Sequence, residues 1–276
     1  MLTISIDPIA FTIGSLTIRW YGIMVAVAVI SMLIIVPPQA KKLGITRDIY
    51  TLALCCIIGG FIGGRLAYII YDWEHFVANP NEVIGFAGLA QNGTIVGVIV
   101  AALIYMGVTR MRFSELLSLG DATAIGTPLA LAIGRVGCTI NGCCYGMSAP
   151  DLPWAVVYTH PNSLAPLNTP IHPTQIYHLL WGLIVFAIVW QLRGKFKPEG
   201  GLLFFCLCIF ATGDLGLRFL RDEEPVLWSL RVAQLVDLVI LVIFLPWLII
   251  KLRRFRKQAS VAELANEAEP EQNRED

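Results

Sequence analysis

The sequence predicts an all-α integral membrane protein of seven transmembrane helices, N-terminus outside and C-terminus cytoplasmic. Three observations predict it. Of the 276 residues, 56% are hydrophobic and 14% charged, with a mean hydropathy of +0.69; so few charges do not cover a soluble globule of this length. Apolar stretches near the about 20 residues a bilayer demands recur at 20–37, 49–71, 88–106, 119–140, 174–193, 200–220 and 231–250. The connections between them alternate between rich and poor in Lys and Arg.

The first stretch reads as a span and not a cleaved leader: Arg19 is the one basic residue before it, no Ala-x-Ala site follows, and Pro37 and Pro38 close it ahead of Lys41, Lys42 and Arg47. The second carries Gly59, Gly60, Gly63 and Gly64, a small-xxx-small pattern that lets helices approach closely, and then Arg65. The third has Asn92 near its start and Arg110 and Arg112 beyond its end. The fourth runs into GRVGCTINGCCYG at 134–146, where Gly134, Gly137, Gly142 and Gly146 are expected to break the helix and bring backbone close to a ligand. His172-Pro173-Thr174-Gln175 opens the fifth, with His178 one turn in and Arg193, Lys195 and Lys197 after it. The sixth closes on Arg218 and Arg221; Arg231 opens the seventh, which ends in Lys251, Arg253, Arg254, Arg256 and Lys257. The basic connections read as cytoplasmic, since 71–87 and 141–173 contain no Lys or Arg. Residues 1–257 are thus one transmembrane domain and the acidic 258–276 a disordered cytoplasmic tail.

An ionisable group inside a span is costly and is by default a site candidate. On the oriented spans Tyr21, Arg65, Asn92, Arg135, His178, Arg218, Arg221 and Arg231 collect toward the outer side, with Arg19 and without a single lysine. Guanidinium is a planar, weakly hydrated fork that pairs bidentately with phosphate, so the ligand expected there is an anionic phospholipid of the outer leaflet. Snorkelling or internal ion pairing is the alternative for any one arginine, least so for the deep Arg135. The basic inner belt reads as topology and contact with anionic membrane lipid, with no nucleic acid as partner. No soluble domain, internal repeat or nucleotide fingerprint interrupts this plan.

Cys138, Cys143 and Cys144 form Cys-x4-Cys-Cys, which matches no usual zinc spacing. They are read as buried apolar thiols without metal; a disulfide from Cys138 to one of the vicinal pair, or a metal site completed by His172 or His178, stays open as an alternative. Cys55, Cys56, Cys206 and Cys208 are core or lipid-facing fillers. His178 is a candidate base near neutral pH. His172 is read as a locally bonded helix-start residue, and no role is assigned to His75 or His160.

The seven stretches, RWYGIM at 19–24, GRVGCTINGCCYG, HPTQIY and the arginine-bearing end of the sixth stretch resemble the prolipoprotein diacylglyceryl transferase family, over nearly the whole chain to about 257. The resemblance implies transfer of the diacylglyceryl group of phosphatidylglycerol to the lipobox cysteine of a prolipoprotein signal peptide. It implies a site in the bacterial plasma (inner) membrane facing the periplasm or exterior, release of glycerol phosphate, and no metal or cofactor. It carries over Tyr21, Asp121, Arg135, Asn141 and Arg221. The expected catalytic set is Arg135, Arg221 and His178, and the substrate-binding set Tyr21, Arg65, Asn92, Asn141, Arg218, Cys138 and Cys143. Cys138 and Cys143 stand where the family has Asn and Glu, Gln91-Asn92-Gly93 where it has His-Gly-Gly, and Asp214-x3-Arg218-x2-Arg221 where it has Arg-x3-Glu-x2-Arg. Asp214 and Arg218 are expected to form the same i, i+4 ion pair with reversed polarity, and His178 to replace the missing histidine as base. A catalytically altered paralogue, acting as a phospholipid-binding or thiol-redox membrane protein, is the second reading.

Overall fold

A computed structural model of the protein describes residues 1–14, 16–78, 90–196, 199–227 and 230–272, without the side chains of 16, 75, 91, 92, 252 and 255–272. In chain order the elements are β1 (Leu2–Ile4), β2 (Ile9–Ile13), β3 (Leu16–Arg19), α1 (Trp20–Lys42), α2 (Ile49–Tyr71), α3 (Trp73–Ala78), α4 (Gln91–Thr109), α5 (Phe113–Asn141), β4 (Val156–Tyr158), α6 (Thr174–Leu192), α7 (Gly201–Leu217) and α8 (Val232–Gln272), with a 3-10 turn at Arg218–Leu220. Six helices among the described residues, α1, α2, α5, α6, α7 with its 3-10 extension, and α8, are long and apolar enough to cross a membrane, and α4 contributes a shorter apolar stretch, Gly93–Thr109. This is a mostly helical multi-pass membrane protein.

The chain divides into two compact units, residues 37–116 and residues 1–36 with 117–276. In the first, the small-xxx-small pattern of α2 meets a second one in α4. A Cβ on Gly63 would strike the carbonyl oxygen of Gly93, one on Gly97 the carbonyl oxygen of Gly59, and one on Gly59 would lie 2.7 Å from the carbonyl oxygen of Gly97. The two backbones touch because neither helix carries side chains at the crossing. Asp48 caps α2 by accepting from the Tyr50 N–H at 2.9 Å. Arg110, left-handed at φ 49°, ends α4, and Arg47 ties that end by donating to Glu115 at 2.7 Å and to the Thr109 carbonyl at 2.8 Å.

In the second unit Ala124 and Ile125 of α5, Val185 and Val189 of α6, and Leu202 and Cys206 of α7 form a buried apolar core. Gly182 lets α6 close on α5, since a Cβ there would lie 3.1 Å from the Pro128 carbonyl oxygen. Asp121 of α5 caps α7 from outside its own sequence: its carboxylate accepts from the N–H of Gly200 at 2.7 Å and of Leu203 at 2.8 Å. A carboxylate on otherwise unpaired donors at a positive helix end is a strong arrangement at membrane depth.

Several expectations change here. α1 does not end at Pro37 and Pro38 but runs through them to Lys42; a spanning helix tolerates proline where its surroundings re-satisfy the freed carbonyls. α5 is unbroken from Phe113 to Asn141, so Gly134 and Gly137 interrupt nothing, and Gly137 serves packing, with a Cβ there 3.0 Å from Met24 Cβ and 3.1 Å from Tyr21 Cα. Helical backbone continues past Lys257 to Gln272, as the Ala-, Glu- and Leu-rich composition favours. Residues before the first span and after α5 are not plain loops. β1 pairs in parallel with β4, Leu2 opposite Val156 and Ile4 opposite Tyr158, and β2 with β3 forms an antiparallel hairpin.

The α2–α4 contact gives a direct test. Gly97→Val places a branched side chain on the Gly59 backbone, and overpacking of this kind costs about 2 kcal/mol; thermal unfolding in detergent should begin several degrees lower than in the parent protein, whereas Gly107→Val, where a Cβ meets nothing within 4 Å, should leave it in place.

Candidate active site

The site begins where α5 stops. Gly142 (φ 75°) and Cys144 (φ 60°) are both left-handed, so the chain reverses within three residues of Asn141. The Gly142 N–H closes the last turn on the Cys138 carbonyl at 2.9 Å. At Gly142 a Cβ would strike Ser163 Oγ and lie 2.9 Å from the Ala165 nitrogen, so only glycine fits. A left-handed cysteine is strained by about 1 kcal/mol or more and persists only when its surroundings hold it. The first two residues of α6 do so: Thr174 Oγ1 donates to the Cys144 carbonyl at 2.8 Å and Gln175 Nε2 to the Cys143 carbonyl at 2.9 Å, both side chains being fully buried. The reversal brings the sulfurs of Cys138, Cys143 and Cys144 within 4.8 Å of one another, all as free thiols.

A β layer covers this turn. Val156 and Ile171 exchange backbone hydrogen bonds at 3.0 Å, Leu164 N–H donates to the Asn141 carbonyl at 3.1 Å, and Val156, Tyr158, Ala165 and Ile171 are buried together. Tyr158 donates its hydroxyl to the Thr139 carbonyl at 2.8 Å; burial first, then the neighbouring thiols of Cys143 and Cys138, raises its phenol above the ordinary value, so it stays a neutral donor.

Arg135 lies one turn before Cys138 on α5 and is half-buried. Among the described residues no ion pair or hydrogen bond reaches its guanidinium. Its field is felt at Cys144: that thiol is held below its ordinary value, chiefly by hydrogen bonds with the Cys138 and Cys143 thiols and then by the positive charges of Arg221 and Arg135. Tyr21, 43% exposed, stands in the first turn of α1 against Gly137. Buried Asn141 accepts from Arg19 at 3.2 Å. Arg221 reaches this group from the 3-10 end of α7, its backbone paired with Gly146. One Arg221 nitrogen, Nη2, meets Glu223 at 2.6 Å, while Nε is buried with no hydrogen-bond partner among the described residues.

Beside it lies a second polar cluster. Asp214 pairs with Arg218, as the i, i+4 spacing predicts. His178, 3% exposed, has Nε2 at 3.0 Å from Asp214 and Nδ1 at 2.6 Å from the Thr174 carbonyl. Arg218 also stands 3.6 Å from Glu223 and 4.0 Å from Asp237, and Arg231 donates to the carbonyls of Arg221 at 2.6 Å and Glu223 at 3.1 Å.

The family model described as prolipoprotein diacylglyceryl transferase matches residues 8–250. The chain belongs to the prolipoprotein diacylglyceryl transferase family. Relatives named phosphatidylglycerol–prolipoprotein diacylglyceryl transferase include one from Dehalococcoides mccartyi, 34% identical over 92% of this chain and 97% of its own. Others come from Acaryochloris marina, 33% identical over 92% and 95%, and from Clostridioides difficile, 31% identical over 84% and 90%.

The family site residues expected from the sequence divide in space. Tyr21, Arg135, Cys138, Asn141, Cys143 and Arg221 gather at the end of α5. His178 and Arg218 belong to the Asp214 cluster, with their polar groups already engaged. Arg65 is buried in the other unit with its guanidinium 5.6 Å from the Tyr68 ring and 5.3 Å from the Phe76 ring. Asn92 falls in the first turn of α4, its side chain outside the described residues. Sequence reading passed over Thr174, Gln175, Tyr158 and Glu223. The first two stood in the HPTQIY motif, where two polar residues opening an apolar helix were the available signal; nothing local marked the others. Family-retained Asp121 sits at the opposite end of α5 as the cap of α7. Asp121→Ala should therefore lower the detergent thermal transition, by about 2 kcal/mol in stability, with Asp121→Asn intermediate; a variant as stable as the parent would remove Asp121 from this role.

Proposed function

We infer that this protein transfers the diacylglyceryl group of phosphatidylglycerol to the lipobox cysteine of a prolipoprotein. The observation that carries the reading is the half-buried Arg135 guanidinium, without a protein partner among the described residues, at a turn that also feels Arg221. A half-buried cation kept unpaired in a family of phospholipid-using enzymes suits an anionic headgroup. Arg135 and the Arg221 Nε would hold the phosphate, while Tyr21 and Asn141 orient the glycerol. The groove of about 410 Å³ lined by Tyr177, Leu180, Trp181, Ile184, Gly213 and Leu217 between α6 and α7 suits an acyl chain.

In the reaction the lipobox thiol gives its proton to solvent, and the thiolate sulfur attacks the glycerol carbon that bears the phosphate ester. The C–S bond forms as the C–O bond breaks, and the electron pair leaves on the phosphate oxygen of glycerol phosphate. In this reading Arg135 and Arg221 stabilise the charge that develops on that oxygen, and the same field favours the thiolate over the thiol. His178, with its ring nitrogens 3.0 Å from Asp214 and 2.6 Å from the Thr174 carbonyl, is read as positioning Asp214 and Arg218 and not as the base. Residues 1–257 carry this activity in the bacterial plasma membrane, with the N-terminus and the α5 turn facing the exterior or periplasm and the segment after 257 in the cytoplasm, as the alternation of basic and base-free connections requires.

Two experiments test the reading. Purified protein given labelled phosphatidylglycerol and a lipobox peptide should add one diacylglyceryl mass to the peptide; Arg135→Lys, which keeps the charge and loses the fork, should slow this by about a hundredfold with the fold intact. An unmodified peptide, or a Lys variant as fast as the parent, refutes it. For orientation, Ser260→Cys should show no labelling increment over the parent by an impermeant thiol reagent in intact cells and full labelling after lysis.

A further inference from the structure

We propose that Cys138, Cys143 and Cys144 form a three-coordinate site for a monovalent thiophilic cation of the Cu(I) class. Among the described residues this is the one group of His, Cys, Asp and Glu side chains close enough to share an ion. With metal–sulfur bonds of about 2.3 Å, the sulfurs of a trigonal site stand about 4 Å apart, so sulfurs already within 4.8 Å need to close by less than about 1 Å. They are also prepared. Cys138 is fixed on α5, and the carbonyls of Cys143 and Cys144 are pinned by Gln175 and Thr174, which holds the two thiols on one side of the left-handed turn.

The ligand set selects the ion. All three donors are soft, and no imidazole or carboxylate joins them among the described residues. A four-coordinate zinc site lacks its fourth protein ligand, whereas soft thiolates alone favour a d10 monovalent ion. A disulfide would use two sulfurs, leave the third, and give no reason for a triangle. Charge agrees: binding breaks three S–H bonds, forms three S–metal bonds, sends three protons to solvent and transfers no electron. The resulting complex carries a charge of −2, and the nearby cations are Arg135, one turn before Cys138 on α5, and Arg221, whose backbone pairs with Gly146. The inference does not rest on the transferase reading, because binding is measured without lipid or peptide.

The experiment uses full-length protein in detergent, reduced, desalted and kept anaerobic, titrated with Cu(I) buffered by bicinchoninate. One tight Cu(I) per chain is expected, with a thiolate-to-copper absorption. Cys138→Ser, Cys143→Ser and Cys144→Ser should each weaken it by at least about a hundredfold, the loss that even an outer partner of a metal can cause; Cys206→Ser should retain it. X-ray absorption on the copper-loaded parent protein, which needs no variant to fold, should show three sulfur neighbours. Failure to take Cu(I) from bicinchoninate, tight binding that survives the triple serine variant, a copper with fewer than three sulfurs, or a thiol count that finds two of the three joined in protein purified without reductant would each overturn the proposal.

Discussion

A charge within a membrane-spanning segment costs about 3 kcal/mol or more unless it is neutralised or shielded, and the arrangement of this protein follows from how that cost is met. Around the end of α7, Arg218, Arg221 and Arg231 are interleaved with Asp214, Glu223 and Asp237. Backbone carbonyls take the Arg231 donors, and the Arg221 Nε alone of that guanidinium is buried without a partner among the described residues. Only against that balance does Arg135 acquire meaning. It is held in α5 with no counter-ion among the described residues, so its neutralisation is left to whatever binds, and the energy of that pairing becomes available to bind it.

Backbone groups obey the same constraint, which explains why a helical membrane protein contains strands. After Asn141 the chain leaves helical conformation for more than thirty residues, until Thr174 begins α6, and every buried N–H and C=O there needs a partner. β1 supplies them to β4, Ile171 to Val156, and Thr174 and Gln175 to the carbonyls of the turn. Asp121 does for the first N–H groups of α7 what Thr174 and Gln175 do for those carbonyls. Side chains that sequence reading treats as polar residues at a helix start are in this way the fasteners of the site.

What the sequence disclosed follows the physics of each feature. Span positions were legible because hydropathy is a local property: the expected 49–71 and 174–193 stand against Ile49–Tyr71 and Thr174–Leu192. The packing role of Gly59 and Gly63 was legible too, but not its partner, since Gly93 and Gly97 lie far along the chain and carry the same signal in either of two roles. Gly137 was misread for that reason; a glycine in a span marks close approach as readily as a break, and Tyr21 and Met24 decide which, whereas Gly134 faces open space inside an unbroken helix. The pairing of Leu2 with Val156 was illegible, because three-residue strands leave no alternation to detect. The thiol triangle was hidden behind its spacing, which resembles a metal motif only once Cys144 turns left-handed.

The reversed ion pair at Asp214 and Arg218 has a consequence for His178. The ring nitrogens of His178 stand 3.0 Å from Asp214 and 2.6 Å from the Thr174 carbonyl, so the imidazole is held between the reversed ion pair and its own helix. The exchange that keeps the charge balance of α7 therefore ties its histidine into the ion-pair cluster. The positive field of Arg135 and Arg221 acts at the end of α5, where it adds to the thiol hydrogen bonds that lower Cys144. The three cysteines that the fold itself supplies thus lie beside the two arginines proposed to hold the phosphate, and one positive field serves both proposals.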